Sequence, residues 1–148
     1  MELVVEINKE KLENIFMGKE IKTFQDLIVY QNLYRAMKII LTKIIPQLPK
    51  EEKFDLADQL RRSCKAAPAI LAEGFAKRYQ KANWKKYLDD VLGEINEVIH
   101  HLSVCLDIYP QRLDVNLIKE LVKIYDITAR QITSLKKSWQ NFHDNQNK

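Results

Sequence analysis

Mostly apolar residues recur along the last third of the chain at alternating steps of three and four: Ile118, Leu121, Tyr125, Thr128, Ile132, Leu135, Trp139 and Phe142. That spacing holds side chains on one face of an α-helix and predicts a seam packed against other helices. A second seam runs through Trp84, Leu88, Val91, Ile95, Val98, Leu102 and Cys105, and a third through Leu27, Tyr30, Tyr34, Met37, Leu41 and Ile44. A fourth, shorter set is Leu60, Cys64, Ala67 and Leu71. The four predicted helices cover residues 23–45, 51–80, 84–108 and 114–142. Thr23 with Asp26 predicts a capping-box-like start, and Asn83 and Asp114 are expected N-caps. Pro46 and Pro49 are expected to stop the first helix, and Pro110 closes the third.

The connections are short, so neighbouring helices are expected to run antiparallel. The fold class read from the pattern is all-α: an antiparallel up-down-up-down four-helix bundle over 23–143. Residues 1–22 form a short N-terminal extension, with "ELVVEI" as a strand or extended arm and "KEKLENIFMG" as a short helix; 144–148 is a frayed polar tail. Only three glycines and four prolines occur in 148 residues, which leaves little room for the tight turns of an all-β fold.

The second helix contains an anomaly. "QLRRSCKAAPAILAEGF", residues 59–75, carries Pro68 mid-helix and Gly74 shortly after. A proline there removes a backbone hydrogen bond and clashes with the preceding turn, at a cost of roughly 3 kcal/mol. Small residues crowd the same helix: Ser63, Ala66, Ala67, Ala69 and Ala72. One reading is tight packing inside the bundle, with Pro68 a tolerated kink. The sharper reading gives the helix a second face, Arg62, Ala66, Ile70 and Glu73, in contact with another copy of the chain. If that face meets a different patch on the next copy, the assembly closes into a ring.

These residues carry a family resemblance. "FQDLIVYQNLYRAMKII", "LPKEEKFDLADQLRRSCKAAPAILAEGFAKR" and "YLDDVLGEINEVIHHL" together resemble the four helix bundle proteins known as 23S rRNA-intervening sequence proteins. The match spans about residues 24–109, with Gln59, Arg61, Arg62, Pro68, Glu73 and Gly74 at signature positions and Gly93 in the third helix. The resemblance implies an antiparallel bundle and a homo-oligomer, with a pentameric ring as the favoured form. A related branch contains the accessory variability determinant proteins of diversity-generating retroelements, which bind nucleic acid and a reverse transcriptase. The chain departs from the pattern at Ile70, where the family usually has Asn, and at Asp89, where a basic residue often stands.

Charge adds a partner class. The chain carries a net +4 and a pI near 9.0, a mild bias toward anionic partners. The bias concentrates in "KRYQKANWKK", residues 77–86, which has five basic residues, no acidic ones and two aromatics. Lys77, Arg78, Lys81, Lys85 and Lys86 are candidates to neutralise phosphates of RNA or DNA, and Tyr79 to stack on a base. The competing reading is a solvated helix end with Trp84 in the core. Arg61, Arg62 and Lys65 are expected to pair with carboxylates such as Asp58 and Glu73. Lys136 and Lys137 suit the negative end of the last helix.

Catalytic and metal signals are weak. His101 and Cys105 are four apart and share a face with Glu97, as zinc ligands do, but Cys105 already belongs to the seam. A core cysteine beside surface histidines is the preferred reading, so no metal and no cofactor is expected. There is no glycine-rich phosphate loop, H-E-x-x-H or G-x-S-x-G. No histidine follows an arginine at the four-to-six-residue spacing of some helical-bundle ribonucleases. The chain is therefore expected not to be an enzyme. No apolar run approaches the roughly 18 residues that cross a membrane, and the start lacks signal-peptide features. Two cysteines in helical patterns imply no disulfide framework, and a reducing cytoplasm is expected. The function expected is a non-catalytic, homo-oligomeric bundle that binds nucleic acid or a ribonucleoprotein through its basic surface. The alternative is a protein–protein adaptor, for example for a retroelement reverse transcriptase, without nucleic-acid affinity of its own.

Overall fold

Three of the four apolar seams form as their spacing dictates. The computed structural model describes residues 21–146, and side chains as far as Asn141. The expected strand or arm and short helix before residue 21 lie outside the described residues, as does the Phe142 side chain. Within those limits the protein has four α-helices and no strand: α1 Ile28–Ile39, α2 Leu56–Ala76, α3 Lys81–Ile108 and α4 Val115–Gln146. The last helix runs past its expected end at 142 because no glycine or proline interrupts it.

Each helix packs against two others around one core: α1 on α2 and α4, and α3 on α2 and α4. Cross-helix pairings locate the ends. Tyr87, early in α3, donates to Glu73 late in α2 at 3.1 Å. Tyr109, just after α3, donates to Glu52 just before α2 at 2.7 Å. Lys136, late in α4, reaches Asp89 early in α3 at 2.6 Å. These pairings are compatible with neighbours of opposite sense.

The first helix corrects the expected register. Its buried face is Val29, Leu33, Ala36, Ile40 and Ile44, whereas Tyr30, Met37 and Leu41 lie half-buried on the flank and Tyr34 is 43% exposed. Two interleaved stripes compete in this stretch, and the one with small Ala36 wins the close-packed side. The aromatic stripe instead packs on itself: Phe24 lies edge-on to Tyr30, and Tyr30 stacks on Tyr34. Asn32 sits in the core, where its amide N–H donates to the side-chain oxygen of the buried Gln131 of α4 at 3.2 Å.

Pro46 does not simply stop α1. The helix widens into a π-turn over Ile40–Ile44 and tightens into a 3₁₀ turn over Ile45–Gln47 that includes Pro46. A proline has no N–H for the turn before it, and the changed winding turns Ile40, Ile44 and Ile45 all inward. Asp26 accepts the backbone N–H of Thr23 and of Lys22, both at 2.9 Å, but around a 3₁₀ turn ahead of α1. Glu52 receives the Leu56 N–H at 3.0 Å and so caps α2 from within the preceding turn. Asp114 caps α4 through the Leu117 N–H at 3.0 Å. Asn83 is not the cap of α3: that helix starts earlier, after Gln80, and the Asn83 amide bonds to the Gln80 side chain.

Candidate nucleic-acid interface

The turn between α2 and α3 is built from close contact. A Cβ placed on Gly74 would lie 2.5 Å from Tyr87 Cβ and 2.8 Å from its Cγ, so only glycine lets the helices approach this closely. This accounts for Gly74 in a helix that otherwise prefers alanine. Pro68 is buried in the same helix and leaves the Cys64 carbonyl without its usual i+4 donor.

Trp84 is wedged beneath the turn, 2% exposed, edge-on to both Phe75 and Trp139. Trp139 of α4 donates its indole N–H to the Arg78 carbonyl at 2.8 Å, tying the turn to the far helix. The expected burial of Trp84 and the basic character of the turn therefore coexist, because the indole points down and the lysines point out.

The six candidate residues divide by role. Arg78 is half-buried and structural: its guanidinium donates to the Phe75 carbonyl at 2.9 Å and lies over the Phe75 and Tyr79 rings. Lys77 donates to the Tyr87 hydroxyl at 2.9 Å and lies 3.7 Å from Glu73, and the Tyr87 bond raises its pKa. Lys86 lies 3.8 Å from Asp90 with its side chain 77% exposed. Lys85 is exposed and has no ion-pair partner among the described residues, Lys81 is exposed, and Tyr79 is 68% exposed. The turn thus presents Tyr79, Lys81, Lys85 and Lys86 outward, with Arg78 holding Tyr79 in place.

Sequence reading missed the share that α4 contributes. Lys136 does not serve the helix end; it pairs with Asp89, the position where the family pattern often has a base, and so supplies a cation there from another helix. Lys136 and Trp139 stand far along the chain from residues 77–86, and no local pattern joins them. A cleft of about 320 Å³ lies where α3 begins and α4 passes, between Trp84, Leu88 and Trp139 below and Lys81, Lys85 and Lys136 at its rim.

The second face of α2 is less open than expected. Arg62 is exposed and paired with Asp58 at 3.1 Å, as anticipated. Ala66 is half-buried, and Ile70 is half-buried and packed on the core rather than exposed. Glu73 is exposed but engaged with Tyr87 and Lys77.

At the other end of α3, His100 is exposed but His101 is buried, 3.6 Å from Glu97, which corrects the expectation of two surface histidines. Its position three after Val98 and four before Cys105 puts it on the edge of the seam, a signal already present in the spacing. Burial pushes the Cys64 and Cys105 thiols up to about 11. Among the described residues no group of three or more His, Cys, Asp or Glu is arranged to hold a metal ion, and no helix is long and apolar enough to cross a membrane.

The family model described as 23S rRNA-intervening sequence protein matches residues 25–134. No curated protein and no solved structure matches the chain.

Proposed function

The chain belongs to the 23S rRNA-intervening sequence protein family, and on that premise we propose that it is a non-catalytic, homo-oligomeric bundle that binds nucleic acid or a ribonucleoprotein through its basic turn. The single observation that carries this reading is the outward display of Tyr79, Lys81, Lys85 and Lys86 on a turn without a carboxylate of its own. Lysines in that setting exchange condensed counterions for contacts with phosphates, and an exposed tyrosine adds a stacking surface. The reading includes an up-down-up-down order of the four helices, a 23–143 bundle behind the 1–22 extension, and a cytoplasmic setting. The absence of catalysis rests on the sequence, which carries no nucleophile–base motif or glycine-rich phosphate loop.

Charge reversal at Lys77, Lys81, Lys85 and Lys86 tests the site. Binding of RNA or DNA by the wild type is expected to fall steeply with salt, and the variant is expected to lose it. Binding unchanged by the reversal rejects the turn as the interface. Light scattering tests the oligomer, and a wild-type monomer removes that half of the proposal.

A second reading, an adaptor or accessory subunit for a protein such as a retroelement reverse transcriptase, draws on a different observation. Phe54 is 86% exposed and Ile108 62% exposed, at the end of the α2–α3 pair away from the basic turn. Large apolar side chains in water favour a protein partner over a polyanion. Co-purification of a protein that is lost on Phe54→Ser, with no affinity for RNA or DNA, selects this reading.

A further inference from the structure

The cleft beside the basic turn has a chemistry that phosphate contact alone does not use. Its floor is Trp84, Leu88 and Trp139, and its rim is Lys81, Lys85 and Lys136. Its volume of about 320 Å³ stands near the low end of small-molecule sites, roughly 300–1,000 Å³. A bare phosphate gains nothing from an apolar floor, and an uncharged apolar group gains nothing from three ammonium groups. A flat aromatic ring attached to an anion uses both.

We infer that the cleft between α3 and α4 receives one unstacked base of a single-stranded nucleic acid, with the flanking phosphates on Lys81 and Lys85 and with Lys136, paired to Asp89, at its edge. This deepens the nucleic-acid reading above and rests on it. The Trp139 indole is held by its bond to the Arg78 carbonyl, so a stacking face is preorganised. Tyr79 lies 6.1 Å from Trp139, centroid to centroid, and is fixed by the Arg78 guanidinium, which extends the aromatic surface toward a neighbouring base. In a duplex the base faces are already covered by stacking, so the cleft selects for single strands. Lys136 and Trp139 fall beyond residues 25–134, so the α4 side of the cleft comes from outside the segment that matches the family.

Both tryptophans of the chain border this cleft, so intrinsic fluorescence reports on it directly. The full-length protein is titrated with a short oligoadenylate, with the corresponding adenylate–uridylate duplex and with AMP. The single strand is expected to quench the tryptophans and to bind roughly tenfold more tightly than the duplex. Ala82 lines the same cleft and is exposed in the first turn of α3, so Ala82→Leu fills it without removing a charge. This variant is expected to keep its helicity and its duplex affinity while losing both the quenching and the preference. Equal binding of single strand and duplex without quenching overturns the inference but leaves the basic turn as a phosphate surface. No binding of either polymer overturns both. AMP binding as tightly as the oligomer overturns the polymer as the occupant.

Discussion

The two ends of the α2–α3 pair are held together by different physics. At the turn, Gly74 lets the backbones close on Tyr87, and Trp84 fills the angle between helices, so contact is set by shape. At the far end, Glu52 bridges the start of α2 to Tyr109, capping a helix and accepting a hydroxyl at once, so contact is set by directional polar bonds. The first end adds one polar bond, from Tyr87 to Glu73, which also holds Lys77, while Lys81, Lys85 and Lys86 remain exposed. The second end spends its acid on structure and leaves Phe54 and Ile108 in water. The end set by close contact keeps exposed lysines beside it, and the end bridged by Glu52 exposes apolar side chains instead.

The largest expected effect comes from spoiling the shape. Gly74→Val places a branched side chain against Tyr87 Cβ, which is the root of that side chain and cannot swing aside. The helices must move apart, and a loss of about 3 kcal/mol is expected from overpacking. A lowered urea midpoint measures it. A midpoint unchanged within error refutes the claim that this end is set by close approach.

The next effect belongs to the far end and appears only in alkali. Burial, with the Glu52 charge second, raises the Cys105 thiol from its ordinary 9.0 to about 11. The fold therefore keeps a proton that the unfolded chain releases. Stability from this group is complete below about pH 9 and declines between about 9 and 11, by at most about 1.4 kcal/mol per pH unit. Cys105→Ala is expected to show a shallower alkaline decline than the wild type, measured by urea unfolding across that range. Parallel declines sink the assignment.

Smaller still is the loss of the polar bridge itself. Glu52→Ala removes one helix cap and leaves the Tyr109 hydroxyl without its acceptor, for about 1–2 kcal/mol. Glu52→Gln keeps one acceptor oxygen for the Leu56 N–H and presents an amide N–H to the Tyr109 hydroxyl oxygen, and is expected to recover part of this. Equal losses in the two variants would show that the bridge needs the two acceptor oxygens that only the carboxylate supplies.

What spacing conveys and what it does not follows from these same residues. The seams of α2, α3 and α4 follow from periodicity because each has one apolar stripe. The register of α1 does not, because two stripes compete and the outcome depends on Ala36 and on a polar partner, Gln131, on another helix. The basic turn is contiguous in the chain and so was visible. The cleft is not, because Lys136 and Trp139 join it only through the packing of α4 on α3. Gly74 stood out as an anomaly, but its reason is a distance to Tyr87 that no spacing contains.

Gly93 supplies the sharpest contrast and the smallest expected effect. Like Gly74 it sits inside a long helix, but a Cβ there meets nothing within 4 Å. With no neighbour to accommodate, only backbone freedom separates glycine from alanine, and alanine restricts the unfolded chain more than the folded one. Gly93→Ala is therefore expected to stabilise the protein by about 0.4–1 kcal/mol, opposite in sign to any substitution at Gly74. Urea unfolding at low and at high protein concentration shows whether anything covers this face. A gain at both concentrations means that this face of α3 looks onto water. A gain when dilute that turns into a loss when concentrated means that a second copy lies against Gly93 as closely as Tyr87 lies against Gly74.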